Sequence, residues 1–291
     1  MKIPLNGMKN PPHPLTGHTL CAMMGVQEII HKEASSMELW SPAHVRTLLP
    51  SIGVMLVLCV LLRLWLGKKS LRMRMIPLQV IAVMLIILEI IKQSCSFARG
   101  YDLYHIPLHF CSLFLFSIPL MAFYHGKHQH YVRTVTTVLC GSATLLMTVY
   151  PALIYSSGNI ECFFTDVMSF HTVTFHGLVY FAFLLILTLQ LYGKPCKGEC
   201  KVTLITITVY SIVAAVAAQL LKTNFTNMYH CNVPPVENLR QSLIVSWGYL
   251  PAQLLYVTVL TVGHILFIWG LYALCKLLSR LSDRLFGTSK E

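Results

Sequence analysis

Residues 75–95 read MIPLQVIAVMLIILEIIKQSC. About 20 mostly apolar residues are what an α-helix needs to cross the hydrocarbon core of a bilayer, which is roughly 30 Å thick. Glu89 is the single acidic residue of this stretch, and the other long apolar stretches of the chain contain none. The stretch therefore predicts a transmembrane helix that carries a carboxylate.

Six further stretches have the same apolar character. The chain is 55% hydrophobic and only 11% charged, about half the charged share of an ordinary globular protein. Because short charged segments separate the stretches, we predict an all-α polytopic membrane protein built as a single bundle of seven transmembrane helices. The predicted helices are 48–66, 75–95, 106–124, 132–154, 169–191, 202–221 and 249–271.

The chain divides into three predicted parts around this bundle. They are an N-terminal extramembrane segment (1–44), the seven-helix transmembrane domain (45–275) and a basic cytoplasmic tail (276–291). Ser41-Pro42 predicts the start of the first helix, since serine is a favoured N-cap and proline fits the first helical position.

The basic residues are distributed unevenly between the two ends of the predicted bundle. Of the 22 Lys and Arg residues, 14 fall at one end, and basic residues stay preferentially on the cytoplasmic side. We therefore predict an outer N-terminus and a cytoplasmic C-terminus. This end carries Arg63, Lys68, Lys69, Arg72, Arg74, Lys127, Arg133, Lys194, Lys197, Lys201, Lys276, Arg280, Arg284 and Lys290.

The net charge of +11 reflects these basic residues, which would meet anionic lipid headgroups at the membrane surface. Nucleic-acid binding would need a basic patch interleaved with exposed aromatic residues on a soluble face, and the sequence has none. We predict an integral membrane protein, in the plasma membrane of a bacterium or in the endoplasmic reticulum or another endomembrane of a eukaryote.

Several predicted helices carry a polar group about two turns from their outer ends. An ionisable side chain in hydrocarbon costs about 2.5 kcal/mol or more, so it persists mainly where it faces a partner or a water-filled cavity. Because these groups lie at similar depth, they predict an outer-facing polar site inside the membrane. They are Glu89, His109, His176 and Gln253, with Asn224 and Asn227 just beyond another helix end.

The third predicted helix begins with residues 105–111, HIPLHFC. His105 and His109 are four residues apart and would share a helix face. Cys111 would lie about 200° around the helix from His109, so a cysteine–histidine dyad within this segment is geometrically poor.

Two interpretations of these residues remain open. His109, His176 and Glu89 either form an acid–base site or belong to a hydrogen-bond network that holds helices together. A Glu89–Lys92 pair at i, i+3 would by itself make the carboxylate tolerable. Cys111 is either a nucleophile or a small buried apolar side chain.

The sequence indicates no cofactor and no metal site. It lacks a phosphate-binding glycine loop and a Gly-x-Ser-x-Gly elbow, and Cys196 with Cys200 would not suffice for zinc, which takes four ligands. Cys162 and Cys231 lie in predicted outer loops, where a disulfide can form in an oxidising compartment.

Four short motifs occur in a fixed order from the third helix to the seventh. They are residues 107–112 (PLHFCS), His176 with Tyr180, residues 227–229 (NMY) and residues 247–249 (WGY). In these the chain resembles the YwaF family of bacterial integral-membrane proteins and its eukaryotic transmembrane acyltransferase relatives.

The resemblance implies acyl transfer onto ether lysophospholipids by a cysteine and a histidine. The cysteine of the eukaryotic relatives falls just before the histidine, where this chain has Leu108, whereas Cys111 matches the bacterial pattern. We predict a phospholipid acyltransferase, or alternatively a non-enzymatic transporter or lipid- or ligand-binding protein, with membrane phospholipid as the partner. The predicted catalytic residues are His109, His176 and Cys111, supported by Glu89, Tyr180, Asn224, Asn227, Trp247 and Gln253.

Overall fold

A computed structural model describes residues 40–154, 156–193 and 197–287 of the chain. These residues form nine α-helices, and the described ranges contain no β-strand, so the all-α prediction is confirmed. The first 39 residues of the predicted N-terminal segment, and Cys196, lie outside the described residues. The helices are α1 (Pro42–Leu66), α2 (Leu71–Ala98), α3 (Ser112–Phe123), α4 (Gln129–Val149), α5 (Ser157–Glu161), α6 (Val167–Thr188), α7 (Glu199–Leu221), α8 (Pro234–Trp247) and α9 (Tyr249–Phe286).

Six of the described helices are long and apolar enough to cross a membrane: α1, α2, α4, α6, α7 and α9. Each contains most of one predicted span. The first begins as predicted, because the Ser41 hydroxyl accepts a hydrogen bond from the His44 amide and Pro42 occupies the first turn. The orientation of the bundle in the membrane stays a prediction.

The third predicted span, 106–124, is only partly helical. Helix α3 begins at Ser112 and has 12 residues, about 18 Å at 1.5 Å per residue, so it is too short to cross a bilayer alone. The segment before it bonds to a neighbouring turn and to α7 instead of forming α-helical hydrogen bonds. The Phe110 amide donates to Thr226 Oγ1 at 2.9 Å, and the Leu108 carbonyl accepts from the Tyr210 hydroxyl at 3.0 Å.

Helix α4 is the centre of the bundle, with contacts to α3, α6, α7 and α9. Two thirds of its apolar stretch is buried, the largest share among the six long helices. Small residues along it, from Thr136 to Thr144, are buried. Small side chains let helix backbones approach closely in a membrane, where no hydrophobic effect drives helices together.

Gly141 is the position on α4 where this close approach can be tested. A Cβ at Gly141 would lie 2.7 Å from the Cys275 sulfur and 3.0 Å from a ring carbon of Phe183. We expect Gly141→Ala to destabilise the protein by about 1–3 kcal/mol, the usual range for overpacking. Gly270→Ala is the control, because a Cβ there meets nothing within 4 Å. Equal apparent melting temperatures for the two purified variants would contradict close packing of α4 against α9.

Helix α9 runs for 38 residues to Phe286, so the predicted boundary at residue 275 falls inside a continuous helix. Its last turns are held by what we call the C-terminal clamp. Arg63 of α1 donates to the Thr188 carbonyl at 3.2 Å, to Gln190 Oε1 at 3.1 Å and to the Phe286 carbonyl at 3.0 Å. Gln190 also donates to Asp283 Oδ1 at 3.0 Å. The first and last long helices are thereby joined at the basic end of the bundle.

Candidate functional site

The carboxylate of Glu89 lies in a buried cluster between α2 and α6. Glu89 Oε1 lies 2.8 Å from Lys92 Nζ and accepts a hydrogen bond from Gln93 Nε2 at 2.7 Å. Glu89 Oε2 lies 3.5 Å from His171 Nε2, which is long for a hydrogen bond but close enough for strong electrostatic attraction when the imidazole is protonated. We call Glu89, Lys92, Gln93 and His171 the carboxylate cluster.

The carboxylate cluster also holds the backbone that leads toward α3. Gln93 Nε2 donates to the His105 carbonyl at 2.7 Å, and His105 Nδ1 lies 2.6 Å from the Ser96 hydroxyl. His105 therefore closes a short 3-10 turn against α2. It does not share a helix face with His109, because the chain between them is not helical.

The three predicted catalytic residues lie within electrostatic range of this cluster. His176 Nδ1 bonds to the Thr172 carbonyl of its own helix at 2.7 Å, and His171 acts on it electrostatically. Lys92 acts electrostatically on both His109 and Cys111, and Glu89 also acts on Cys111. The carboxylate cluster is thus charged and close enough to influence each of the three predicted residues.

Cys111 and His109 do not lie together on one regular helix. Cys111 is a free, half-buried thiol that precedes the first residue of α3. The angle of about 200° that separates it from His109 applies only to a regular helix, so it is wrong for this segment. His109 instead bonds to the Tyr104 carbonyl at 2.9 Å and packs its ring 5.4 Å from that of Phe225.

The predicted supporting amides lie elsewhere, around residues 224–229, which we call the outer turn after its predicted side of the membrane. Asn224 Oδ1 accepts from the amides of Tyr229 and His230, and Gln253 Nε2 donates to the carbonyls of Met228 and Tyr229, each at 3.1 Å. Their side chains therefore satisfy backbone groups. The Asn227 carbonyl accepts from the Tyr256 hydroxyl.

The outer turn is conformationally unusual at Thr226 and Asn227. Both have positive φ, 51° and 61°, and this region is uncommon for a β-branched residue such as threonine. The same Thr226 hydroxyl receives the Phe110 amide and contacts Tyr210. The outer turn thus fixes the segment that carries His109 and Cys111, and it acts as a scaffold for that segment.

An ion pair on α8 anchors the outer turn. Arg240 Nη2 lies 2.6 Å from Glu237 Oε1, and Arg240 Nη1 donates to Gln253 Oε1 at 2.8 Å. Glu237 Oε2 also accepts the Cys231 amide at 2.9 Å. The Arg240 hydrogen bonds, with help from the Cys231 and Gln241 donors, lower the pKa of the Glu237 carboxyl from its ordinary 4.5 to about 2.

This pKa predicts how stability depends on pH. A carboxyl whose pKa falls on folding stabilises the fold above its unfolded pKa, and the contribution is lost as pH falls toward the folded value. We therefore expect Glu237→Gln to lower the apparent melting temperature at neutral pH, and the difference from the parent protein to shrink between about pH 4.5 and 2. Glu161→Gln, at an exposed carboxyl, is the control. A difference that does not change over this range would contradict the assignment.

Two predicted supporting residues lie apart from both groups. The buried Tyr180 hydroxyl lies 3.1 Å from Thr148 Oγ1, in an apolar cluster with Met147. Trp247 ends α8 and is 56% exposed. Neither has a described contact with the carboxylate cluster.

The sequence did not identify His171 as a partner of Glu89, or Lys92 as the residue that connects the cluster to His109 and Cys111. The available signal was only that His171 is an imidazole near the start of α6. Tyr210 and Thr226 gave no signal, because their contact depends on a turn whose geometry sequence periodicity does not reveal.

Cys162, in a predicted outer loop, is disulfide-bonded. Cys231 is a free thiol, so a bond between these two is excluded. Within the described ranges, no group of three or more His, Cys, Asp or Glu side chains is arranged to hold a metal ion.

Comparison with known proteins agrees with this architecture. A model of the TMEM164 family matches residues 39–272, from just before α1 into α9. The chain belongs to the TMEM164 family. This TMEM164 family member is therefore a multi-pass integral membrane protein, and the family match includes both the carboxylate cluster and the outer turn. No curated protein and no solved structure matches the chain.

Proposed function

We propose that this TMEM164 family protein is a phospholipid acyltransferase whose reaction takes place at the carboxylate cluster. The observation that carries the proposal is the buried pair of Glu89 and His171, 3.5 Å apart on two membrane-spanning helices. A carboxylate beside an imidazole is the usual arrangement for a general base, because the carboxylate orients the ring and stabilises its protonated form. The resemblance of residues 107–112 to acyltransferase relatives supports the same reaction.

In the simplest form of this reaction the acyl group passes directly between two lipids. His171 takes the proton of a lysophospholipid hydroxyl while that oxygen bonds to the ester carbonyl carbon of a donor phospholipid. The donor carbon–oxygen bond then breaks, and the protonated His171 returns its proton to the leaving alkoxide. Lys92 supplies positive charge for the oxyanion that forms between these steps.

A second form of the reaction uses Cys111 as the nucleophile. The thiolate would bond to the ester carbon, release a lysophospholipid and leave a thioester, which the acceptor hydroxyl would then attack. His109 and His176 lie within electrostatic range of the cluster and would assist proton transfer in either form. The described hydrogen bonds include none between the Cys111 thiol and an imidazole, which favours direct transfer.

A non-enzymatic lipid- or ligand-binding role is the second candidate. It is supported by the contacts of Glu89 with Lys92 and Gln93, which already compensate the carboxylate as a purely structural network would. Binding of a phospholipid without any chemical change would then be the function of the same polar region.

The experiment is an acyl-transfer assay with purified protein in vesicles. Isotopically labelled lysophospholipid is supplied, and labelled diacyl product is measured by mass spectrometry. We expect product from the parent protein and from Cys95→Ser, a matched change at another free, half-buried cysteine. Lipid binding with no product, from folded protein, would favour the second candidate.

Cys111→Ser separates the two forms of the reaction. Direct transfer predicts that the rate of acyl transfer falls by less than about tenfold. Cys111 would then be a packing residue, and replacing such a residue changes stability only modestly. Complete loss in a folded variant, together with a hydroxylamine-sensitive acyl group on the parent protein, would instead establish the thioester route.

A further inference from the structure

Helices α1 and α2 are joined by a tight connection, yet each packs mainly on other helices. α1 packs on α6 and α5, and α2 packs on α6 and α3. Between them lies an open groove of about 420 Å³ whose lining residues are all apolar. Its walls and floor include Leu62 and Trp65 of α1, Ile76 and Val80 of α2, and Leu178 and Phe181 of α6.

The groove lies in the half of the bundle nearest the α1–α2 connection. On α2 it extends from Met73 to Met84, about 16 Å at 1.5 Å per residue. Glu89 lies further along α2, toward the opposite end. The groove is therefore separate from the carboxylate cluster, and its interpretation does not rest on the proposed acyl transfer.

Three exposed basic residues lie in the chain between Leu66 and Met73, which both line the groove: Lys68 and Lys69 in the connection and Arg72 in the first turn of α2. None of them forms an ion pair with another residue of the described ranges. The connection and the first turn of α2 contain no acidic residue. A concentrated positive charge thus lies directly beside the open end of an apolar groove.

We propose that this groove binds an anionic glycerophospholipid of the leaflet at the basic end. One acyl chain lies along the groove between α1 and α2, and the headgroup phosphate meets Lys68, Lys69 and Arg72. The helices span a membrane, so the groove opens to lipid and not to water. Basic residues next to a membrane surface attract anionic headgroups, and the groove adds a fixed place for the attached chain.

Trp65 gives this proposal a direct reporter, because it lines the groove and is 70% exposed. We would retain it as the single tryptophan by changing Trp40, Trp247 and Trp269 to Phe. The protein is placed in phosphatidylcholine vesicles containing a small fraction of phosphatidylglycerol or phosphatidylcholine with brominated chains, which quench tryptophan on contact. We expect brominated phosphatidylglycerol to quench Trp65 at a mole fraction at least about fivefold lower than brominated phosphatidylcholine needs for the same quenching.

Two triple variants with equal loss of charge distinguish a specific lipid-binding site from general electrostatic attraction of anionic lipid to the protein. Lys68→Gln, Lys69→Gln and Arg72→Gln together should remove the preference. The control triple variant removes the same charge from exposed positions elsewhere at the basic end, by Lys201→Gln, Arg280→Gln and Arg284→Gln. It should leave the preference for phosphatidylglycerol unchanged. Equal quenching by the two brominated lipids, or equal effects of the two triple variants, would overturn the proposal.

Val80→Phe tests the groove with all three charges intact. Val80 is 53% exposed on the groove wall, so the larger side chain fills the groove without entering the core. We expect it to reduce quenching of Trp65 by both brominated lipids. Unchanged quenching in this variant would show that lipid does not enter between α1 and α2.

Discussion

His171→Phe is expected to lower acyl transfer by at least about 100-fold, the usual effect of removing a general acid–base group. The substitution keeps the aromatic packing of His171 with Phe175, whose ring lies 5.3 Å away and nearly parallel. It removes only the nitrogens, one of which faces Glu89. The protein should therefore still fold, and the lost function can be assigned to proton transfer.

His264→Phe is the matched control for this measurement. His264 is a half-buried imidazole on α9 whose Nδ1 lies 3.4 Å from the Ser211 hydroxyl, away from the carboxylate cluster. Initial rates of labelled product are compared at equal amounts of folded protein. Full activity in a folded His171→Phe variant would mean that the Glu89–His171 pair has a structural role.

Glu89→Leu is expected to destabilise the protein by about 3–5 kcal/mol, because removing one partner of a buried ion pair leaves the other charge uncompensated. The side chains of Glu89 and Lys92 are only 12% and 15% exposed. Without the carboxylate, Lys92 keeps its charge with no acid among its described contacts. The loss should appear as a lower apparent melting temperature of the purified protein.

The double variant Glu89→Leu with Lys92→Met provides the control. Replacing a buried ion pair with apolar residues of similar size is often neutral or stabilising, so the double variant should regain most of the lost stability. If the two single effects simply add, the residues are not energetically coupled, and the close contact between them has no energetic role.

Much of the fold follows from single stretches of sequence. Residues 75–95 predict α2 because apolar length alone determines whether a helix can span a membrane. Ser41 and Pro42 predict the start of α1 because capping depends only on neighbouring residues. The Glu89–Lys92 contact was foreseeable in the same way, since residues three apart meet on a helix.

The non-helical segment before α3 could not be predicted by the same means. Residues 106–111 are apolar enough for a helix, but their backbone bonds to Thr226 and Tyr210, more than 100 positions away in the chain. Non-helical backbone is tolerated at membrane depth where protein surrounds it and satisfies its polar groups. The partnership of Glu89 with His171 likewise depends on how α2 and α6 face each other, which periodicity within either helix does not specify.

The C-terminal clamp has a consequence for the order in which the molecule is completed during synthesis. Arg63 is made 223 residues before one of its acceptors, the Phe286 carbonyl. Its contacts at Thr188 and Gln190 form only after the sixth helix has emerged. The Arg63 guanidinium must therefore be satisfied by water or lipid headgroups until these partners have been made, and this end of the bundle closes only after α9 is complete.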